Sequence, residues 1–422
     1  MPRTLIRDCR LFDGSGRGLY PADVLVEGNR IKAVASDRGQ LAGDGAEVID
    51  AAGRTLMPGM IEGHAHLSFV DVQRSTDLGD LPLEEHVLRT AYNARLLLDQ
   101  GFTGAYSAAA SKMRLDIVIR NEIEAGRLVG PRLRACSPEI TVTGGLGDDR
   151  QLHQHRSSFG VVADGVDEIL RIARTCLREG VDSIKINISG DSYGRIASVD
   201  ATVMREDEVS AAVEVAHAVG RPVNAHCRAN NSVKRAVRCG VDVIYHCEHA
   251  DGEALDMLEG ARDRIFVGPA IGLPVNAAKL HAQPGADPGL RRFHERTLEA
   301  SVRTYVELRK RGVRVVTGGD YGFGITPQGT NARDIEHFVQ LFGYSPAEAL
   351  VCATRVGGEI MGMGDELGQV KPGYLADLLL VDGDPLADVR ILQDASKLLL
   401  IMKNGELHKL DRAAFARRMA AE

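Results

Sequence analysis

The feature that most restricts the fold is a repeat in the middle of the chain. A short apolar segment with strand character is followed by a longer segment with the apolar spacing of a helix, and the pair recurs. Repeated strand–helix units of this length form parallel sheets. About eight units fit into residues 57–360, so the sequence predicts an α/β fold, a (β/α)8 barrel, over that range. The predicted helices lie at 83–100, 164–179, 206–219, 231–239 and 296–311, and the predicted strands at 181–188, 222–226, 241–246 and 313–318.

The two chain ends differ from the middle, because they contain short strands separated by glycine-rich turns. We therefore expect residues 1–56 and 361–422 to pair into one composite β-sandwich domain, with a short helix at 412–422. The predicted strands lie at 4–11, 23–27, 30–35, 47–50, 377–382, 397–403 and 406–409.

Charge and composition limit the kinds of partner and the cellular compartment that we expect for this protein. The 422 residues carry a formal net charge of −7, which argues against a nucleic acid or an anionic membrane as a partner. No apolar run approaches the ~20 residues that span a bilayer, and the first residues lack a secretory signal. The seven cysteines include no CxxC pair and are typical of reduced thiols. The expected location is the cytoplasm.

Histidines and a carboxylate end several predicted strands, where a barrel of this type carries its active site. His64 and His66 point to one side of a strand, because strand side chains alternate. Two such imidazoles can bind one metal ion, although an isolated HxH pair is equally compatible with two structural histidines. His226, His246 and Asp320 end three further strands, and this recurrence favours a metal site.

Lys185 lies on the inward face of its predicted strand, since Ile184 and Ile186 occupy the outward face. Burying an unpaired ammonium is costly, and one response is a lowered pKa that leaves a neutral amine. Such an amine can react with carbon dioxide to give a carbamate whose two oxygens can bridge two metals. The alternative is a lysine paired with a carboxylate.

These residues together resemble the binuclear metal-dependent hydrolases of the amidohydrolase superfamily. Within it, the chain is most similar to the imidazolonepropionase-like and prolidase-like group, and the similarity extends over nearly the whole chain. The matching positions are His64, His66, Lys185, His226, His246 and Asp320, with closer likeness in the segments 141–145, 160–165, 240–246 and 372–377.

The resemblance implies a role for each matching residue. His64, His66 and Asp320 would hold the more buried metal, the histidines at 226 and 246 would hold the second, and carboxylated Lys185 and a hydroxide would bridge both. Asp320 would take a proton from the attacking water and pass it to the departing nitrogen. Zinc is the expected metal, with manganese or cobalt as replacements. The family also implies a homo-oligomer.

The chain departs from its prolidase-like relatives at two positions that affect the substrate. Leu146 replaces a histidine of the relatives' Thr-Gly-Gly-His-Gly-Asp loop, and Arg228 stands where they more often carry tyrosine. Arg228 is expected either to clamp a substrate carboxylate or to form an ordinary ion pair. His249 and Tyr321 are further expected substrate contacts. The glycine- and proline-rich segment 268–289 is predicted to be an active-site loop.

Four functions are compatible with this pattern. The first is hydrolysis of the C–N bond of a small amide, either an N-acyl amino acid or a dipeptide, including the X-Pro type. The second keeps that chemistry but acts on a urea, carbamate or thiocarbamate xenobiotic, which the change at Leu146 leaves open. The third is deamination of a cyclic amidine, against which Lys185 argues because such relatives use one metal. The fourth is a non-catalytic scaffold, against which the complete ligand set argues.

Overall fold

The computed structural model describes residues 1–37, 39–192 and 197–413. Most of the helix predicted at 412–422 lies outside these described residues. The chain begins with the strands β1 (Arg3–Leu11), β2 (Tyr20–Glu27), β3 (Arg30–Ala35), β4 (Glu47–Asp50) and β5 (Thr55–Pro58).

The middle of the chain alternates strands and helices, as predicted. Its elements are β6 (Met60–Ala65), α1 (Asp77–Asp80), α2 (Leu83–Asp99), β7 (Phe102–Ser107), α3 (Leu115–Glu124), β8 (Arg132–Arg134), β9 (Cys136–Thr141), β10 (Val161–Val162), α4 (Gly165–Glu179), β11 (Ser183–Asn187), α5 (Glu206–His217), β12 (Val223–Cys227), α6 (Asn230–Cys239), β13 (Val243–His246), α7 (Gly252–Gly260), β14 (Phe266–Gly268), α8 (Gly272–His281), α9 (Pro288–Lys310), α10 (Arg333–Phe342), α11 (Pro346–Ala353) and α12 (Arg355–Ile360).

The last part returns to strands, with two short 3-10 helices between the first and the second of them. These elements are β15 (Leu378–Val381), the 3-10 helices Val389–Gln393 and Ala395–Lys397, β16 (Leu398–Lys403) and β17 (Glu406–Leu410).

The two chain ends form one mixed sheet, which confirms that they pair. Its eight strands follow the order β17-β16-β15-β5-β1-β2-β3, with β4 beside β1. The join between the ends is the antiparallel pair of β5 and β15, in which Leu380 lies opposite Leu56. An apolar cluster built from both ends, with Ile6, Val24 and Leu400 among its buried members, packs on this sheet. The predicted sandwich is therefore one hydrogen-bonded sheet rather than two separate ones.

The middle forms two parallel sheets, β6-β7-β8 and β10-β9-β11-β12-β13-β14. Hydrogen bonds link their ends: Ala110 N donates to Ser137 O at 3.0 Å, and Gly63 N donates to Thr317 O at 2.8 Å. The strand predicted at 313–318 is reduced to one bridge, Val315 with Val267. Beyond it the chain turns through two glycines into Asp320, whose φ of 62° lies outside the strand region. A closed barrel is therefore not detected, and the fold is an α/β fold with two parallel sheets.

The segment predicted as a loop at 268–289 contains helix α8, which corrects that prediction. Helix α9 also begins eight residues before its predicted start at 296. Its first turn has a clear signal, because the Asp287 carboxylate accepts hydrogen bonds from the backbone N–H groups of Gly289 and Leu290, and Pro288 occupies the first turn. A capping aspartate followed by proline marks a helix start even in a glycine-rich context.

Across the described ranges, every helix is too short or too polar to cross a lipid bilayer.

Candidate metal centre

The six residues predicted as metal ligands converge on one cavity of about 470 Å³. They come from strands on both parallel sheets and from the turn after Val315, so residues up to 256 positions apart in sequence meet at one site. All six are buried: His64, His66, Lys185, His226, His246 and Asp320.

His64, His66 and Asp320 form the tightest group, with ligand atoms within 4.8 Å of one another. Asp320 Oδ1 lies 3.3 Å from His66 Nε2 and 3.9 Å from His64 Nε2. His66 Nδ1 donates to the backbone oxygen of Ala109 at 3.1 Å, which leaves Nε2 with its lone pair facing the cavity. His64 Nδ1 is buried and has no hydrogen-bond partner within the described residues. A buried nitrogen of this kind is explained by an ion or a water that satisfies it.

The protonation of this group suits a metal. Burial lowers the pKa of His64 well below its usual value, so the ring is neutral near pH 7, which is the form that binds metals. Burial alone would raise the pKa of Asp320, but the two histidines beside it lower that pKa overall and favour a carboxylate. Imidazole nitrogens together with a carboxylate are a donor set that zinc accepts.

His226 and His246 form the second part of the cavity wall. Their ring centroids are 4.3 Å apart, and His246 lies 5.6 Å from His64 by the same measure. Burial lowers the pKa of His226 to about 4 and that of His246 well below its usual value. His246 has a φ of 76°, a left-handed conformation that costs a residue with a side chain about 1–3 kcal/mol. Strain of this kind persists where the surrounding structure fixes the backbone, and it is concentrated at functional sites. Asp320 also has a positive φ, of 62°.

Lys185 lines the same cavity and is 1% exposed. Its Nζ lies 4.9 Å from the centroid of the Tyr245 ring, and that ring stacks on His64 at 3.9 Å. No salt bridge to Lys185 is formed within residues 1–37, 39–192 and 197–413. The described residues thus show no direct ion pair for Lys185, although its charge counteracts the rise that burial gives to the pKa values of Glu139 and Asp320.

Glu139 and Asp191 also line the cavity, and the sequence analysis missed both. Glu139 lies opposite Lys185 in the pairing of β9 with β11, and Asn187 Nδ2 donates to its Oε2 at 2.6 Å. Burial raises the pKa of Glu139. The signal was strand alternation, since Glu139 shares one face of β9 with Ser137 and Thr141. Asp191 follows β11 by four residues, and its Oδ2 lies 3.5 Å from His226 Nε2.

Arg228 is held by two buried carboxylates. Its Nη1 lies 2.8 Å from Asp191 Oδ2, and its Nη2 lies 3.0 Å from Glu248 Oε1. Burial alone would raise the pKa of Asp191, but the guanidinium lowers it overall. Two of the three guanidinium nitrogens are thus already engaged, which favours the ion-pair interpretation of Arg228. The substrate clamp stays a prediction that would require a substrate carboxylate to displace one of the two.

We expect Arg228→Met to lower the free energy of unfolding by about 3–5 kcal/mol, because it leaves two carboxylates buried without their shared cation. Urea denaturation monitored by circular dichroism measures the change. The control is Arg114→Met, since Arg114 pairs with Glu179 at 2.9 Å but is 56% exposed, and that change should cost less than about 1 kcal/mol. Equal losses in the two variants would contradict the argument.

The other predicted substrate contacts separate into two groups. Leu146 lines the cavity, as expected. Tyr321 does not line it: the ring is buried and its hydroxyl donates to Asp334 Oδ1 at 2.9 Å. Asp334 Oδ2 also accepts from Gly318 N at 3.1 Å, so Tyr321 helps to fix the turn that carries Asp320. His249 is half-buried and lies outside the cavity lining as well.

Comparison with known proteins places this site in a family. Residues 55–408 match the amidohydrolase family. The ochratoxinase of Aspergillus niger is 25% identical over 84% of this chain and 75% of its own length. A solved Xaa-Pro dipeptidase with bound methionine is 26% identical, covers 96% of this chain and 100% of its own, and superposes with a TM-score of 0.85. A prolidase solved with N-methylphosphonate-L-proline is 26% identical, with 97% and 100% coverage and a TM-score of 0.86.

The family match spans most of the chain and includes all six residues that converge on the cavity. Divalent metal centres are general in this family, and the His64, His66 and Asp320 group fits one. The chain therefore belongs to the amidohydrolase family and is a hydrolase of carbon–nitrogen bonds.

Proposed function

We propose that this enzyme hydrolyses the C–N bond of a small amide, an N-acyl amino acid or a dipeptide, including the X-Pro type. The observation that carries the proposal is the convergence of four histidines, one lysine and one aspartate on a single cavity. At about 470 Å³ this cavity suits a small molecule. The dipeptidase and prolidase likenesses, at 26% identity over nearly the whole chain, support an amide of this size.

We propose that the site holds two divalent ions and that these are zinc. His64, His66 and Asp320 would hold one, the pair His226 and His246 would hold the other, and carboxylated Lys185 would lie between them. When bound, such ions supply Lewis acidity to the substrate carbonyl and to the attacking water. The burial of Lys185 without a salt bridge among the described residues supports the carbamate, because that form exchanges a buried cation for an anion with metal partners.

In this proposal a side chain of the protein, the carboxylate of Asp320, transfers the proton. Asp320 is ionised and lines the cavity. Its carboxylate can therefore accept a proton from the attacking water and return it to the departing nitrogen. The hydrogen bonds of Asp334 to Gly318 N and to the Tyr321 hydroxyl fix the turn that carries it. Preorganised placement of the base lowers the cost of orienting it during the reaction.

The test compares two forms of the enzyme: apo-enzyme prepared by chelation, and the same preparation reloaded with zinc. N-acyl amino acids and dipeptides, among them X-Pro, are expected to be hydrolysed by the zinc-loaded enzyme and not by the apo form. Release of the free amino acid is followed by chromatography beside a matched panel of ureas, carbamates, thiocarbamates and cyclic amidines. Turnover confined to ureas and carbamates, or release of ammonia from an amidine, would contradict the proposed substrate class while leaving the hydrolase assignment intact.

We further infer that the two parallel sheets are parts of one (β/α)8 barrel, which the hydrogen bonds from Gly63 to Thr317 and from Ala110 to Ser137 support. The division into a chain-end domain at 1–56 and 361–422 and a catalytic domain at 57–360 stays a prediction. The homo-oligomer, the cytoplasmic location and the absence of nucleic-acid and membrane partners stay predictions as well.

A further inference from the structure

Three phenylalanines from separate loops form one wall of the cavity, which we call the aromatic wall: Phe69, Phe159 and Phe323. The Phe69 ring centroid lies 6.0 Å from that of Phe159, with the rings at 82°, and 5.4 Å from that of Phe323, at 71°. Rings at these distances and angles attract one another edge to face. The three side chains of the wall therefore pack against one another and form one continuous aromatic surface.

The aromatic wall begins directly at the candidate metal centre. The ring of Phe69 stacks on the ring of His66 at 4.1 Å and 13°. His66 is one of the six converging residues, so the aromatic wall and the candidate metal centre are in direct contact. A substrate group that contacts the wall would therefore lie beside the candidate metal centre.

Two of the three loops that carry the wall, those of Phe69 and Phe323, are fixed by hydrogen bonds of the backbone and of Gln328. Gly324 N donates to Val72 O at 2.9 Å, and Gln328 Nε2 donates to the backbone oxygens of His66 at 2.8 Å and Phe69 at 3.3 Å. Behind the rings, Val70, Val72 and Leu78 complete a small apolar cluster with Phe69 and Phe159. Such a wall is ordered before the substrate arrives, and this lowers the entropy lost on binding.

We propose that the aromatic wall is a subsite for a phenyl-sized apolar group of the substrate, next to the scissile amide. The inference rests on the proposed function and narrows its substrate class to amides with an aromatic side chain on one side of the C–N bond. A substrate ring can continue the edge-to-face packing of the three phenylalanines. The rest of the lining agrees, because Leu146, Leu273, Leu280 and Ile325 are further apolar members of the cavity.

The test compares N-acetyl-L-alanine with two substrates that each add one phenyl ring to it, N-acetyl-L-phenylalanine on the amine side and N-phenylacetyl-L-alanine on the acyl side. With zinc-loaded enzyme, at least one ring-bearing substrate should exceed N-acetyl-L-alanine in kcat/KM by about 30-fold or more, since one methylene alone is worth roughly 10–200-fold in an apolar pocket. The better of the two ring-bearing substrates identifies the side of the amide on which the ring binds.

Phe323→Ala should reduce this ratio by about tenfold, and Phe159→Leu should reduce it in the same direction. The backbone hydrogen bonds of the wall do not involve the Phe323 side chain, so the loops keep their frame. The matched control is Phe293→Leu, because Phe293 lies on α9, outside the cavity lining, and should leave the ratio unchanged. A ratio near one in the unsubstituted enzyme, or one that neither wall variant lowers, overturns the subsite while hydrolysis itself still supports the proposed function.

If the enzyme cleaves none of the three amides, the N-acyl amino acid part of the proposed function fails, and a binding measurement decides on the wall separately. Titration calorimetry with 3-phenylpropionate should then show binding to the zinc-loaded protein that Phe323→Ala weakens by about tenfold and Phe293→Leu does not. Absence of binding, or equal binding by all three proteins, overturns the subsite.

Discussion

Replacing Lys185 by alanine is expected to lower the metal content of the zinc-reconstituted enzyme from two ions per chain to one or fewer. Turnover of the best amide should fall by well over about 100-fold, which is the loss that removal of a group outside the ligand shell already reaches. The reason is that His226 and His246 alone offer two donors, whereas a zinc site normally takes three protein ligands and an open position. The carbamate would supply the missing donor to both ions.

Three measurements make this result specific. Elemental analysis after removal of free metal gives the number of ions per chain, and hydrolysis gives the activity. Lys185→Gln removes the reactive amine but retains a long side chain, so it should lose metal as Lys185→Ala does. The matched control is Lys310→Ala, since Lys310 is 60% exposed at the end of α9 and should keep both ions. Two ions retained in Lys185→Ala would rule out the bridge.

The convergence of the six candidate ligands was predictable because it rests on local rules. Alternation along a strand places His64 and His66 on one side, and parallel strands bring their C-terminal ends to one edge. These rules need no knowledge of distant contacts. They led from the sequence to six residues that the structure brings together in one cavity.

The surroundings of the ligands depend on contacts between distant segments, and the sequence alone was a poor guide there. Arg228 follows a strand that carries a candidate ligand, yet its partners Asp191 and Glu248 are 37 and 20 positions away. Tyr321 followed Asp320 directly, but its hydroxyl reaches Asp334 on α10 instead of the cavity. Ion-pair partners and side-chain directions in loops follow from tertiary packing, which periodicity does not encode.

The aromatic wall was missed for a related reason. Phe69, Phe159 and Phe323 stand on three loops, without the spacing of a helix or a strand. Each is a single apolar residue in a connecting segment, and such residues are common on loops. Only the fold brings the three rings together beside His66, so substrate selectivity was the part of the function that the sequence left open.

Asp320→Asn is expected to lower kcat by about 100- to 10,000-fold, the usual contribution of a positioned acid–base group, while KM changes little. The amide keeps the size and shape of the carboxylate but accepts a proton poorly. Asparagine also tolerates the left-handed backbone that Asp320 adopts, with its φ of 62°, so the turn and the melting temperature should be preserved. A loss confined to kcat would therefore report chemistry and not folding.

The matched control for this variant is Asp71→Asn. Asp71 also has a left-handed φ, of 55°, and its carboxylate accepts a hydrogen bond from Gln328 N at 2.8 Å, but it is not among the residues that line the cavity. The same chemical change there should leave kcat within about threefold of the unsubstituted value, as expected for a residue with no part in proton transfer. Metal analysis of Asp320→Asn separates two causes, because a kcat loss with both ions retained assigns the effect to the proton, whereas loss of an ion assigns it to the ligand. Near-normal turnover would remove Asp320 from the proposed proton transfer.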